Sequence, residues 1–251
     1  MGALWFFLTL AASTSGRWWT AALWSVAAAF AAAQTVGAWQ LEYRAASGDA
    51  AVRADDDQLD APWTTSAPLR WIAALAAATV PLAAGWGTGL AGVALVVLAA
   101  CCGGVQLVSR SRGAGAVTIA VLLAAIAASS VVIAVRVDLW AGLFLILAVS
   151  LFDAGSYLMG AEAAGRWDGP VAGMIGALAV TFTMATIDPP PFDRPSAWLT
   201  GVLVAVACVP GQWAASAFLP RTTAKAPALR RLDAYILAGP VFVACAWLLG
   251  G

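Results

Sequence analysis

The chain has 251 residues, of which 62% are hydrophobic and 10% are charged, and this composition excludes a soluble fold because soluble domains carry about 25% charged residues. Its 13 basic and 13 acidic residues balance, so nucleic acid is not expected as a partner. Histidine is absent, which excludes histidine general bases, Ser-His-Asp triads and most catalytic zinc sites.

Apolar intervals between ionisable residues predict the transmembrane helices, because a helix needs about 20 mostly apolar residues to cross a bilayer. The chain is therefore expected to be an all-α, polytopic integral membrane protein with about nine transmembrane helices. The first interval has no positive n-region and no cleavage site, so we expect a retained span and not a signal peptide. The nine intervals are 2–14, 18–39, 71–85, 87–109, 114–135, 139–160, 169–187, 197–218 and 234–250.

Two of these intervals, the first and the third, are short. The uncharged stretch 71–109 is too long for one helix and must contain a turn. Pro81 and the sequence Gly85-Trp86-Gly87 are expected to mark that turn.

The chain divides into an N-terminal multi-span membrane region, 1–136, and a C-terminal membrane region, 137–251. The first region contains a polar loop at 40–70, in which positions 55–57 are consecutive aspartates. Such carboxylates suit Mg²⁺ or Ca²⁺, but the loop lacks the spaced ligands and the turn glycine of an EF-hand. A solvated loop is therefore favoured over a metal site.

Basic residues are distributed unequally over the two ends of the predicted spans. With a cytoplasmic N-terminus, only Arg17, Arg136 and Arg194 fall outside. The positive-inside rule then predicts a multi-pass protein of the inner (plasma) membrane, with its basic end at the cytoplasmic face. The inside group contains Arg44, Arg53, Arg70, Arg110, Arg112, Arg166, Arg221, Lys225, Arg230 and Arg231.

Asp153 is the one charged residue inside these intervals. On a helix it shares a face with Ser156, Tyr157 and Gly160, so a carboxylate, a hydroxyl and a phenol are expected to point together. A charge within a span costs roughly 2.5–3.5 kcal/mol on insertion scales, which makes it a candidate site. The alternative is an aspartate at a helix end that reaches the interface.

Two further polar segments follow. Asp168 is placed to cap the helix that begins near Pro170, and a phosphate held by Arg166 and that helix N-terminus is the second interpretation. Four basic residues between positions 221 and 231 suit anionic lipid headgroups, and Asp233 follows them. Asp153 and Asp233 lie toward the same side of the membrane as these cations, and such a group of side chains is suited to bind Mg²⁺ together with phosphate oxygens.

Three segments resemble the phosphatidate cytidylyltransferase (CDP-diacylglycerol synthase) family, over about residues 140–250. The segment 228–242, Ala-Leu-Arg-Arg-Leu-Asp-Ala-Tyr-Ile-Leu-Ala-Gly-Pro-Val-Phe, is similar to the family's C-terminal Asp-Arg-x-Asp signature. The segment 153–160, Asp-Ala-Gly-Ser-Tyr-Leu-Met-Gly, resembles D-x-G-A-Y-x-x-G. The segment 166–173, Arg-Trp-Asp-Gly-Pro-Val-Ala-Gly, resembles K-T-W-E-G-x-x-x-G.

The resemblance implies a membrane enzyme that transfers CMP from CTP to a phosphatidate-like lipid, with release of pyrophosphate. It implies Mg²⁺ as the cofactor, CTP and the lipid as partners, and allows a homodimer. Asp153 and Asp233 then serve as catalytic and metal-binding residues. The substrate-binding residues that it implies are Tyr157, Arg166, Asp168, Ser216, Arg230 and Arg231.

Two other functions stay open at this point. Gln212 and Arg230 stand where the family has aspartates, which favours a catalytically inactive relative that binds lipid headgroups or acts as a scaffold. A small-solute transporter has only the multiple spans and the intramembrane aspartate in its favour, since no internal repeat is visible.

Overall fold

The computed structural model describes residues 2–46, 68–109, 112–160, 165, 167–220 and 226–249, and all regular structure within them is helical. Among these described residues, eight helical segments are long and apolar enough to cross a membrane. This confirms the prediction of an all-α, polytopic membrane protein. The helices are α1 (Gly2–Ser15), α2 (Arg17–Ala46), α3 (Pro68–Trp86), α4 (Thr88–Ser109), α5 (Arg112–Val137), α6 (Leu139–Gly160), α7 (Asp168–Ile187), α8 (Arg194–Ala217), α9 (Leu229–Leu232) and α10 (Tyr235–Leu249).

The two short predicted intervals have different outcomes. The third belongs to α3, a helix of 19 residues that is long enough to span, whereas α1 has only 14 residues. Pro81 lies inside α3 and does not mark the turn; α3 and α4 are separated at Gly87 alone. The aspartate run of the polar loop lies outside the described residues.

Three turns meet at one end of the bundle, here called the Arg136 end. Gly16, with φ of 113°, separates α1 from α2, a conformation that glycine adopts without strain. The ring of Trp18 packs against that of Trp86, with centroids 4.6 Å apart. Arg136 Nη1 donates hydrogen bonds to the carbonyls of Gly85 (3.0 Å) and Trp86 (2.8 Å), in the last turn of α3, where carbonyls lack partners within the helix.

The opposite end is here called the Arg231 end, and hydrogen bonds from α2 hold it together. Trp39 Nε1 donates to the carbonyl of Phe218 (2.9 Å), and the backbone N–H of Ala228 donates to Gln34 Oε1 (2.8 Å). These bonds hold α2 against Phe218, directly after α8, and against Ala228, directly before α9. Because successive helices alternate in direction, Arg70, Arg230 and Arg231 lie at this end, and Arg17, Arg136 and Arg194 lie at the Arg136 end.

Glycines allow α6 and α7 to pack backbone against backbone. A Cβ on Gly155 would lie 2.7 Å from the carbonyl oxygen of Ala172. A Cβ on Gly173 would meet Ser156 Oγ and would lie 2.7 Å from the carbonyl oxygen of Phe152. In lipid, where the hydrophobic effect does not drive helix association, such close approach supplies the packing energy.

Substituting Gly173 with alanine should therefore destabilise the protein by about 1–3 kcal/mol, because the added methyl forces α6 and α7 apart. Unfolding in detergent measures the change. Gly92→Ala is the matched control, since a Cβ on Gly92 meets nothing within 4 Å and alanine favours a helix. Equal stability of the two variants would contradict the close packing.

Asp193 caps α8 through a capping box with Ser196. The Ser196 hydroxyl donates a hydrogen bond to Asp193 Oδ1 (2.5 Å), and the Ser196 backbone N–H donates to the same atom (3.0 Å). The bond from the hydroxyl, followed by that from the backbone, lowers the pKa of Asp193 from its ordinary value.

The lowered pKa predicts how this cap depends on pH. The stabilisation is present above the unfolded pKa of about 3.9 and is lost as the pH falls through the folded pKa. We expect Asp193→Asn, which caps without titrating, to lose less thermal stability than the wild type between about pH 5 and pH 3. An Asp193→Asn variant that loses as much stability as the wild type over this range would contradict the assignment.

Candidate functional site

Polar side chains from three helices and the junction before α10 converge at the Arg231 end. We call this group the polar cluster. It places a carboxylate of α6 opposite a second carboxylate that follows α9, with an amide and a hydroxyl from α8 and two guanidinium groups from α9. Its members are Asp153, Gln212, Ser216, Arg230, Arg231 and Asp233.

Asp153 occupies the inner face of α6. Gln212 Nε2 donates a long hydrogen bond to Asp153 Oδ1 (3.5 Å). The carboxylate also interacts electrostatically with Asp233, which repels it, and with Arg231, which attracts it. Asp153 is only partly buried, although Phe152 beside it is fully buried. The expected meeting of the two carboxylates at one end of the bundle is thus present in the fold.

Asp233 lies deeper than Asp153, with a side chain that is 5% exposed. Its Oδ1 accepts a hydrogen bond from the backbone N–H of Ala234 (2.7 Å), and both Arg230 and Arg231 interact with it electrostatically. Gly211 of α8 makes this approach possible, because a Cβ there would lie 2.7 Å from the carbonyl oxygen of Asp233. The negative charge of the buried Asp233 is thus compensated by two arginines that are adjacent in the sequence.

The arginines connect the cluster to the exposed surface. Arg230 Nη1 donates a hydrogen bond to Ser216 Oγ (3.2 Å), and both Arg230 and Arg231 are exposed. Guanidinium groups in this arrangement can bind a phosphate while their stems remain at the helix surface. The cluster therefore has a cationic outer part and an acidic inner part.

Sequence reasoning missed two residues that continue the cluster into the bundle. Tyr235 is buried, and its hydroxyl interacts electrostatically with Ser150 and with Asp153. Helical spacing could have identified Ser150, which lies three positions before Asp153 and therefore on the same face. Tyr235 begins the last helix, and nothing in its sequence context distinguishes it from a packing residue.

Two predicted site residues, Tyr157 and Asp168, lie outside the cluster. The side chain of Tyr157 is 77% exposed, and Arg166 lies outside the described residues. Trp167 occupies the N-cap position of α7, so Asp168 is not the cap; it lies in the first turn, and its Oδ2 accepts a hydrogen bond from the backbone N–H of Gly165 (2.9 Å). An acidic residue there still matches the positive end of the helix dipole.

The expected face of four residues on α6 is divided between two environments. Asp153 faces the polar cluster, whereas Ser156 Oγ and Gly160 lie against glycines of α7. The ring of Trp167 contacts that of Trp213, with centroids 5.5 Å apart, so the start of α7 lies beside the end of α8. Asp168 therefore borders the Arg231 end without reaching the two carboxylates.

The residues of the cluster suit only one kind of metal site. Among the described parts of the chain, no three Cys, Asp or Glu side chains come together in a way that could hold an ion. Mg²⁺, however, commonly uses one or two protein carboxylates and completes its shell with phosphate oxygens and water. Asp153 and Asp233 fit an ion that arrives with a phosphate-bearing ligand, and they do not form a closed protein site.

Comparison of this chain with protein-family models, with curated proteins and with solved structures found no match. The helices and their composition define the class, an all-α membrane protein with several spans. Any statement about its activity therefore depends on the polar cluster.

The electrostatic interaction of Asp233 with Arg231 predicts a coupled effect on stability. Arg231→Gln should destabilise the protein by roughly 1–3 kcal/mol, because it removes one counter-charge from a buried carboxylate. The additional change Asp233→Asn should recover most of this loss, since it removes the buried charge at position 233 and its repulsion of Asp153. Unfolding of the single and double variants in detergent measures the coupling.

Arg194→Gln at the Arg136 end is the control for loss of one positive charge, and it should leave stability unchanged. Strictly additive effects of Arg231→Gln and Asp233→Asn would show that the two side chains do not interact.

Proposed function

We propose that this protein is a membrane nucleotidyltransferase that transfers CMP from CTP to the phosphate of phosphatidate or a related lipid, forming a CDP-lipid and pyrophosphate. The observation that carries the proposal is the convergence of Asp153 and Asp233 with Arg230 and Arg231 at the basic end of an apolar helical bundle. A soluble triphosphate and a lipid phosphate can meet only at such a boundary. The resemblance of three segments to phosphatidate cytidylyltransferases supports the same reaction.

The reaction is an in-line displacement at the α-phosphorus of CTP. An oxygen of the lipid phosphate forms a new P–O bond, the bond between the α-phosphorus and the bridging oxygen breaks, and pyrophosphate leaves with the electron pair. Arg230 and Arg231 are suited to neutralise the phosphate oxygens, where charge stabilisation contributes most of the catalysis. Asp153 and Asp233 would hold Mg²⁺, which when bound supplies further neutralisation of the triphosphate.

The same proposal assigns the Arg231 end to the cytoplasmic face of the inner (plasma) membrane. Basic residues are concentrated at this end of the bundle, which the positive-inside rule associates with the cytoplasm. CTP is a cytoplasmic solute, so this orientation gives the cluster access to both substrates. In this orientation Arg17, Arg136 and Arg194 lie on the opposite side of the membrane.

Purified protein in detergent tests the activity directly, with labelled CTP, phosphatidate and Mg²⁺. Wild-type protein should form a labelled CDP-lipid. Asp153→Asn and Asp233→Asn should each lower the rate by about 100-fold or more, because each removes a carboxylate that positions the metal and the phosphates. Asp138→Asn, at the Arg136 end, should retain wild-type activity; no product from wild-type protein would refute the proposal.

A second candidate function is a catalytically inactive protein that binds lipid headgroups. Two observations favour it: Gln212 contributes an amide next to Asp153, and Arg230 replaces the first aspartate of the resembled signature. In that case phosphatidate in vesicles would bind without turnover, and binding would weaken when Arg230 and Arg231 are neutralised. The turnover assay separates the two functions.

A further inference from the structure

A second polar layer lies on the inner side of the polar cluster. Ser150 precedes Asp153 by three positions on α6, so the two side chains share a face of the helix. Cys208 precedes Gln212 by four positions on α8 and shares a face with it in the same way. Because α6 and α8 both run toward the Arg231 end, Ser150 and Cys208 lie about one helical turn deeper in the bundle than the cluster. Tyr235 begins α10, which runs in the opposite direction, and therefore also lies on the inner side.

Tyr235 connects this inner layer to the Asp153 carboxylate. Its side chain is 4% exposed, and its ring packs edge to face against the fully buried ring of Trp24, with centroids 5.0 Å apart. Its hydroxyl interacts electrostatically with Ser150, with Asp153 and with the thiol of Cys208. One side of the residue thus packs against an aromatic ring of α2, while the hydroxyl meets polar groups of α6 and α8.

The hydroxyl of Tyr235 is not needed for this packing. A phenylalanine would make the same edge-to-face contact with Trp24, whereas a buried hydroxyl costs free energy unless it finds a partner. The groups that the hydroxyl meets therefore explain why a phenol is present here. A phenol can donate one hydrogen bond and accept another, so it is suited to join the Ser150 hydroxyl to the Asp153 carboxylate.

Asp153 gains from a further partner because its other interactions restrain it weakly. The hydrogen bond that it accepts from Gln212 Nε2 is long, at 3.5 Å, and Asp233 repels it. Two carboxylates that repel each other turn apart when no cation lies between them. A hydrogen-bond donor on the inner side of Asp153 opposes this rotation, and partners of this kind are what orient metal-binding carboxylates in proteins.

We propose that Tyr235 is a positioning residue of the proposed reaction, and that its buried hydroxyl holds the Asp153 carboxylate toward Asp233. Ser150 orients the phenol so that its proton points at Asp153. The two carboxylates are then arranged for a divalent cation before the cation and its phosphate-bearing ligand bind, which lowers the cost of ordering the site. This inference deepens the proposed function and rests on its assignment of Asp153 and Asp233 as the metal-binding residues.

Binding of a metal-nucleotide complex tests the inference without requiring turnover. The probe is the Mn²⁺ complex of a CTP analogue with a methylene group between the α- and β-phosphorus atoms, because Mn²⁺ takes the same oxygen ligands as Mg²⁺. Equilibrium dialysis of the purified protein in detergent measures the bound complex. Tyr235→Phe should raise the Kd by about tenfold, the usual effect of removing a partner of a metal ligand. An unchanged Kd, or no binding by the wild type, would overturn the proposal.

Two comparisons separate positioning from structural damage. The analogue without metal should bind equally to Tyr235→Phe and to the wild type, since the arginines alone then hold it; an equal loss with and without metal would overturn the positioning role. Thr181→Val is the matched control for a buried hydroxyl outside the cluster, because Thr181 is 0% exposed and its hydroxyl donates to the carbonyl of Ala177 (2.9 Å). This variant should bind the metal complex as tightly as the wild type.

Ser150→Ala should raise the Kd by a smaller factor, and it should add little to Tyr235→Phe because both act through the same phenol. Independent effects of the two changes would overturn the role of Ser150. In the turnover assay, Tyr235→Phe should raise the KM for Mg²⁺ and leave the KM for phosphatidate unchanged. Metal binding that depends on Tyr235 without CDP-lipid synthesis would retain the inference and refute the enzyme, whereas synthesis with unchanged metal binding in Tyr235→Phe would do the reverse.

Discussion

The placement of carboxylates among apolar helices is the constraint on which the arrangement of this protein depends. A charged group within a membrane span is costly unless it faces the bundle interior and finds a partner. Asp233 meets this requirement with a backbone N–H at its oxygen and with two arginines on the preceding helical turn. Asp153 meets it through Gln212 and through Arg231. The cations that compensate both carboxylates come from one short helix, α9, so the position of α9 decides whether the cluster exists.

Close helix packing brings these groups together. The glycines between α6 and α7 hold Asp153 in register, and Gly211 lets α8 approach the chain at Asp233 with no side chain between them. On the other side, Gln34 and Trp39 of α2 hold the segment that leads into α9. The absence of a side chain at one position is therefore as important for the cluster as the charged groups themselves. The cluster is therefore closely packed on the α8 side, while Asp153 is only partly buried.

Much of the fold could be predicted from the sequence, because the apolar intervals between charges are set by the bilayer thickness and need no tertiary information. Pro81 misled the prediction of a turn, since neighbouring helices and local adjustments tolerate a proline within a span. In the site, Asp153 and Asp233 were identifiable as charges next to apolar runs. Tyr157 was expected to share the face of Asp153, but the surroundings of each side chain on α6 depend on the helices that pack against it. Tyr235 and Ser150 gave no charge signal, so only the contact between α10 and α6 reveals them.

The chemistry of the cluster favours a ligand that brings its own negative charge and its own ligands for a cation. Two carboxylates that repel each other gain from a cation between them, but they supply too few oxygens to bind one alone. The exposed arginines gain from an anion, but a simple carboxylate would compete with Asp153 and Asp233 for the same charge. A phosphate satisfies both parts, because its oxygens can bind the guanidinium groups and complete the shell of the cation. The amide of Gln212 adds no charge to this balance, so the cluster depends on its ligand more strongly than a site with three carboxylates would.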